Sequence, residues 1–278
     1  MPNECDTPTH GEEIEAMVTE AMRLIGLRCF ADARSLVERI EGFDPVNNWG
    51  AHARIHLHID EGSLDEGATR GIAHLTATDP FEGINVHNAM HLATTLLDLG
   101  RVDESVAWQE RVVVPVAETM PMQYPSATHL LWRTEVAGHG RASGRALPWE
   151  VLVRPGATAL HGPDDAPDPL EAIAHAMAWI ANGDGARREA LLGALMHRGL
   201  KDSGQPGATA NDTTVAQIVE GLYRWWEGDF AEAAAALSAA HSGFGALTQY
   251  PGQLAAIEAT LDDARARAQG ALMEAVPK

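Results

Sequence analysis

Glycines that end one helix and precede another recur along this chain, and their spacing restricts the fold more than any other feature. At each, an apolar-periodic segment reaches the glycine, passes a short polar turn with Asp or Glu, and resumes as a second apolar-periodic segment. Glycine takes the left-handed conformation that ends a helix, and an acidic residue suits the positive N-terminus of the next. The turn glycines are Gly26, Gly62, Gly100, Gly183 and Gly228, spaced by 36, 38, 83 and 45 residues. This spacing is close to the period of two-helix repeats, with one gap of double size.

A sixth helix pair is predicted to fill the long gap. Its first helix would span Ser126 to Gly138, its turn Gly138 to Arg145, and its short second helix the region around Pro148 to Val153. The sequence therefore predicts an all-α fold, a superhelical array of about six antiparallel helix pairs of the tetratricopeptide (TPR) type. We expect residues 1–278 to form one such domain, with a polar N-terminal tail over about residues 1–11.

Composition supports helices over sheets, because aromatic residues are only 5% of a chain that is 45% hydrophobic. The longest Pro/Gly/Asp-rich stretch, Arg154 to Pro169, is predicted to be a linker or a lid.

The charge balance predicts which partners the protein avoids. With 20 basic and 39 acidic residues, the formal charge of −19 would repel nucleic acids and anionic membranes. The two cysteines, Cys5 and Cys29, have no CxxC spacing, and the N-terminus has no apolar signal segment. We therefore expect a soluble cytoplasmic protein with no nucleic-acid or membrane partner, while its oligomeric state stays open.

Thirteen histidines are the most unusual chemical feature of the chain. His52 and His56 are four residues apart, as are His87 and His91, and residues at this spacing project from one face of a helix. These four are the predicted catalytic residues, which would act as general acids and bases. No cofactor is predicted, but a divalent metal remains possible, bound by His87 and His91 with either His52 or His56.

A second set of residues is predicted to bind substrate. By helical phase, His129 falls in the same sector of about 100° as the four paired histidines, and His175 is a weaker member. Trp132 is a packing residue or stacks on a planar ligand, and Arg133 is a charge in an otherwise apolar helix. The other histidines to which no role is assigned are predicted to be exposed surface residues, namely His58, His74, His139, His161, His197 and His241.

Four segments together resemble the family of tetratricopeptide repeat protein thirty-eight and its bacterial relatives, over about residues 12 to 270. HARIHLHIDEGSLDEG from His52 resembles the family's HAxAHxxExxGxxxEG, and HNAMHLATTLLDL from His87 resembles its HNxWHxAL. LLWRTE from Leu130 is similar to LLWRLE, and the segment Asp168 to Gly183 is similar to DxHAxMAxxxxG.

The departures from this family fall on polar positions. Ile59 stands where the family carries Glu, Ala89 and Met90 occupy aromatic positions, and TQYPGQLAAIEATL from Thr248 lacks the family's HAQRD-like residues. The resemblance implies a curved array of helix pairs whose interior is lined by the paired histidines and His175. It leaves the chemistry open.

Two functions remain in competition on these grounds. The first is a small-molecule enzyme, of the kind found in bacterial specialised metabolism, with a histidine-lined interior pocket for elimination, isomerisation, cyclisation or hydrolysis. The alternative is a TPR-type protein-interaction scaffold without catalysis.

Overall fold

The structure, a computed structural model, describes residues 9–117, 119–120, 123–153, 168–201, 208–248 and 254–274. Within these ranges the regular secondary structure is helical throughout, which confirms the predicted all-α class for this part of the chain. No helix found there is both long and apolar enough to cross a lipid bilayer. The predicted lid at 154–169 lies outside the described residues except for its last two positions.

The helices group into two compact units, unit 1 (Met1–Val116) and unit 2 (Ala117–Lys278). The helices up to this boundary are α1 (His10–Gly26), α2 (Phe30–Phe43), α3 (Asn48–Glu61), α4 (Leu64–Ala77), α5 (Asn85–Asp98), α6 (Val102–Trp108), a π-helical turn (Gln109–Val113) and α7 (Val114–Ala117). Those beyond it are α8 (Tyr124–Val136), α9 (Pro169–Ala181), α10 (Gly185–Lys201), α11 (Ala208–Glu227), α12 (Phe230–Ala240), α13 (Phe244–Leu247) and α14 (Ala255–Glu274), with 3-10 turns at Arg141–Ser143, Trp149–Leu152 and His241–Gly243.

Several consecutive helices pack against each other within each unit. α1 packs on α2 and α3 on α4 in unit 1, and α9 packs on α10 and α11 on α12 in unit 2. A single superhelical array over the whole chain stays a prediction.

The predicted glycine turns are confirmed at four of five positions. Gly62, Gly100, Gly183 and Gly228 have φ angles of 86°, 72°, 71° and 87°, the left-handed region that favours glycine. The prediction is wrong at Gly26, because helical hydrogen bonding continues past it and the Leu27 N–H still donates to the Arg23 carbonyl. The left-handed residue of this turn is Arg28, at φ 58°.

The predicted sixth pair is confirmed in its first helix only. α8 ends at Val136, and Gly138 has a left-handed φ of 81°. The second member is a four-residue 3-10 turn at Trp149–Leu152. The buried Trp149 indole anchors it, donating its Nε1–H to Glu135 Oε1 at 3.1 Å.

Helix α3 is the element that positions the site. Its residues Ala53 and Leu57 are buried in a core shared with Ala21 of α1 and Val37 of α2. The residues one position earlier, His52 and His56, lie on an adjacent face of the same helix, since successive residues are about 100° apart. Because α3 also packs against α5, these histidines meet those of the second pair.

The packing of α11 on α12 offers a test of the fold in unit 2. A Cβ added at Gly221 would lie 2.5 Å from Cγ of the fully buried Leu237, whereas one added at Gly193 in α10 would meet nothing within 4 Å. We expect Gly221→Ala to lower the free energy of unfolding by about 1–3 kcal/mol through overpacking. Gly193→Ala is the control and should raise it by about 0.5–1 kcal/mol. Urea unfolding followed by circular dichroism measures both, and equal effects would contradict this helix packing.

Candidate metal centre

Four histidines of unit 1 converge between α3 and α5. One ring nitrogen of each of His52, His56, His87 and His91 lies within 4.8 Å of those of the other three, and we call this group the histidine cluster. Within it, His87 Nε2 and His91 Nε2 are 2.9 Å apart. The predicted catalytic residues are therefore brought together in one place.

The rings of the cluster contact one another both within each helix and between the two helices. The ring centroids of His56 and His91, which belong to different helices, are 4.4 Å apart, and those of His52 and His56 are 4.6 Å apart. His52 is buried at 7% exposure, while the other three are partly exposed. His52 is thus the most buried member of the cluster.

Burial favours the uncharged form of His52, His56 and His91. It lowers the pKa of His52 to about 3, with the charges of nearby His56 and His87 acting in the same direction. Burial also lowers the pKa of His91 well below the usual value and lowers that of His56, although Asp60 opposes the shift at His56. Neutral imidazoles each carry one lone pair, which is the form that binds a metal ion.

The donor set and spacing fit a first-row transition metal. Imidazole nitrogen suits zinc, copper, iron and nickel, whereas magnesium and calcium prefer oxygen. Nitrogens bound to zinc at about 2.0–2.1 Å in tetrahedral geometry are about 3.3 Å apart. The ring nitrogens of the cluster all lie within 4.8 Å of one another, a spacing that would let three or four of them share one ion.

A network of buried amides lies behind His52. Asn85 and Asn88 of α5 are fully buried, and Asn88 Oδ1 is 3.0 Å from His52 Nδ1. The sequence interpretation assigned them no role. A signal was present, since asparagine is unfavourable inside a helix and two of them flank His87.

A cavity of about 650 Å³ adjoins the buried side of the cluster. One face of α1 forms a wall, with Ile14, Val18 and Met22, and the start of α3 contributes Trp49 and His52. Trp49 is 55% exposed, and its ring lies edge to face on His52 at 5.8 Å. This volume is in the range of small-molecule sites, which span about 300–1,000 Å³.

The predicted substrate-binding residues all lie in unit 2. Trp132 is completely buried, donates its Nε1–H to Thr260 Oγ1 at 3.0 Å and packs beside other tryptophan rings. His175 is also buried and stacks on Trp179 with a centroid distance of 5.3 Å. His129 is buried and Arg133 is partly exposed, both on α8. Substrate binding by these four residues stays a prediction.

The prediction that His58 and His74 are exposed is wrong. His58 is 2% exposed, with its Nδ1 2.8 Å from Ser63 Oγ and its Cβ close to Gly67. His74 is partly buried, and its Nε2 is 3.2 Å from Asn85 Oδ1. Neighbouring helices enclose these two side chains, and the periodicity of a single helix does not predict such contacts.

Comparisons of this chain with protein families, characterised proteins and solved structures find no match. The resemblance to the tetratricopeptide repeat protein thirty-eight family therefore stays a prediction. The candidate site rests on the chemistry and geometry of its own residues.

Proposed function

We propose that unit 1 binds one zinc-class divalent ion in the histidine cluster, and that the protein uses this ion on a small molecule held in the cavity beside His52. The observation that carries this proposal is the convergence of four ring nitrogens within 4.8 Å. This is the metal-dependent form of the small-molecule enzyme expected from the sequence.

The electrostatics favour metal binding over acid and base catalysis by the histidines alone. A general acid must be protonated near the working pH, and the pKa of His52, about 3, leaves it neutral there. The pKa of His91 is also well below the usual value because of burial. These two residues are therefore better suited to donate lone pairs than protons.

The number of histidines that bind the ion determines whether the ion can have a catalytic role or only a structural one. Zinc with three protein ligands keeps a fourth position for water or substrate, whereas four ligands usually mark a structural ion. A bound ion of the first kind polarises carbonyl or phosphoryl oxygens and lowers the pKa of coordinated water. The fourth histidine would then stand beside the reacting molecule, in a place suited to hydrolysis or elimination.

The first test is metal selectivity in solution. Metal-free protein is dialysed against zinc, cobalt(II), nickel(II) or copper(II), and separately against magnesium or calcium, and the bound metal is counted by mass spectrometry. We expect one equivalent of the first group and none of the second, because the donors are imidazoles. Binding of magnesium or calcium in preference, or no stoichiometric transition metal, would contradict the proposal.

A second test separates the enzyme from the alternative, a TPR-type interaction scaffold without catalysis. Exposed apolar side chains on the connection from α2 to α3, Phe43 and Val46, are the observation that favours the scaffold. Acetohydroxamate added to the cobalt(II)-loaded protein should change its visible spectrum if a coordination position is open. An unchanged spectrum would indicate a closed structural ion and favour the scaffold.

A further inference from the structure

The amide groups behind His52 form one continuous hydrogen-bonded chain. The backbone carbonyls that it contacts determine which side-chain atoms donate and which accept. A carbonyl oxygen accepts hydrogen bonds and cannot donate them, so any side-chain atom bound to it must be a donor. Two such carbonyls, those of Asp79 and Asn48, lie in this network. They determine which end of each asparagine carries the NH₂ group.

The Asp79 carbonyl determines the orientation of Asn85. Asn85 Nδ2 lies 2.9 Å from the Asp79 carbonyl oxygen and 3.1 Å from Thr78 Oγ1. The NH₂ group must occupy this end because the carbonyl oxygen only accepts, and an amide oxygen placed there could not hydrogen-bond to it. The opposite end of the side chain, Oδ1, is therefore an acceptor that faces Asn88.

The orientation of Asn88 is determined twice. Its Nδ2 is 3.0 Å from the Asn48 carbonyl oxygen and 3.1 Å from Asn85 Oδ1, and both of these oxygens are acceptors. Asn88 Oδ1 must therefore be the atom that lies 3.0 Å from His52 Nδ1. Because this oxygen also only accepts, His52 has to donate a proton from Nδ1.

His74 reinforces this polarity. Its Nε2 lies 3.2 Å from Asn85 Oδ1 and 3.2 Å from Asn48 Oδ1. In the neutral tautomer with its proton on Nε2, His74 can share this N–H between the two oxygens. Reversing the Asn85 amide would place its oxygen against the Asp79 carbonyl oxygen and its NH₂ group against the NH₂ group of Asn88, so both hydrogen bonds would be lost.

We infer that Asn88 is a positioning residue that holds His52 in the tautomer protonated on Nδ1, with the Nε2 lone pair left for an ion shared with the rest of the histidine cluster. The metal part of this inference rests on the proposed function, whereas the tautomer does not. Metal-binding histidines generally donate their other N–H to an oxygen acceptor, which orients the ring. An amide performs this task without adding charge.

The tautomer is measurable before any metal is added. In metal-free protein labelled with ¹⁵N-histidine, long-range proton–nitrogen spectra report which ring nitrogen is protonated, and comparison with His52→Gln identifies the His52 signals. We expect His52 to be protonated on Nδ1 and unprotonated on Nε2. A His52 ring protonated on Nε2, or an even mixture of tautomers, would overturn the inference.

Variants of Asn88 test its positioning role. Asn88→Leu removes the acceptor, so we expect a tautomer mixture at His52 and zinc binding weakened by about 10–100-fold. Asn88→Asp keeps an acceptor for His52 Nδ1 while losing the donor to the Asn48 carbonyl and Asn85 Oδ1, so the folded variant should be less stable but retain the Nδ1–H tautomer. Ser105→Ala is the control for lost stability, because it removes a buried 2.6 Å bond to the Ala93 carbonyl without contacting a histidine.

The outcomes separate the two proposals. Unchanged tautomer and zinc affinity in folded Asn88→Leu would overturn the positioning role, as would equal losses of affinity in Asn88→Leu and Ser105→Ala. An Nδ1–H tautomer in a wild-type protein that binds no metal would support the orientation of His52 and refute the proposed function. The wild-type spectrum decides the tautomer even if the Asn88 variants fail to fold.

Discussion

Acidification of the metal-free protein from about pH 7 to about pH 5 is expected to lower its free energy of unfolding by about 2 kcal/mol through His52 alone. The folded-state pKa of His52 is about 3, compared with 6.5 for an unperturbed histidine. Only the unfolded chain binds this proton in the interval, so the stabilisation is fully present above about pH 6.5 and is lost as the pH falls. His91, whose pKa burial also depresses, contributes with the same sign.

Urea unfolding at both pH values, with and without the histidine, measures this contribution. His52→Gln removes one titrating group, so it should lose about 2 kcal/mol less than wild type over the same interval. His139→Gln, at an exposed position, is the control and should behave like wild type. Equal losses in wild type and His52→Gln would show that His52 does not resist protonation in the folded protein.

Zinc is expected to stabilise the wild-type protein strongly and a ligand-deletion variant only weakly. At a free zinc concentration of about 100 times the dissociation constant, binding to the folded state adds about 2.7 kcal/mol to the free energy of unfolding. If His56→Ala weakens binding about 100-fold, the same zinc concentration adds only about 0.4 kcal/mol. His56 suits this test for two reasons. It is partly exposed, so its substitution should disturb the core little, and the histidine that bonds to Asn88 is His52.

Thermal unfolding with zinc and with EDTA gives the comparison. His139→Ala should keep the full zinc-dependent shift, since this exposed residue lies in unit 2. A shift in His56→Ala as large as that of wild type would remove this residue from the site. An equal loss in His139→Ala would point to non-specific surface binding.

The parts of the fold that depend on local conformation could be predicted from the sequence. The left-handed glycines at Gly62 and Gly228 follow from helix periodicity and turn chemistry alone. The left-handed residue of the turn near Gly26 could not be predicted in this way. Its position depends on how far the helical hydrogen bonds of α1 continue. The pairing of His52 with His56 likewise needs only the helical period.

The convergence of the two histidine pairs and the amides behind them depends on contacts between helices. Asn88 reaches the carbonyl of Asn48, 40 residues earlier in the chain, and His58 is covered where α4 approaches closely at Gly67. Such contacts follow from the packing of α3 on α4 and α5, which a single-helix pattern does not specify. Asn88 was therefore missed, and His58 was wrongly predicted to be exposed.

X-ray absorption spectroscopy of the protein loaded with one equivalent of zinc tests the central claim most directly. We predict a shell of nitrogen and oxygen donors at about 2.0–2.1 Å, with the outer-shell scattering of at least three imidazoles, and one imidazole fewer in His56→Ala. A shell containing sulfur or a shell dominated by carboxylate oxygen would contradict a metal centre in the histidine cluster, and an unchanged spectrum in the variant would remove His56 from the ligands.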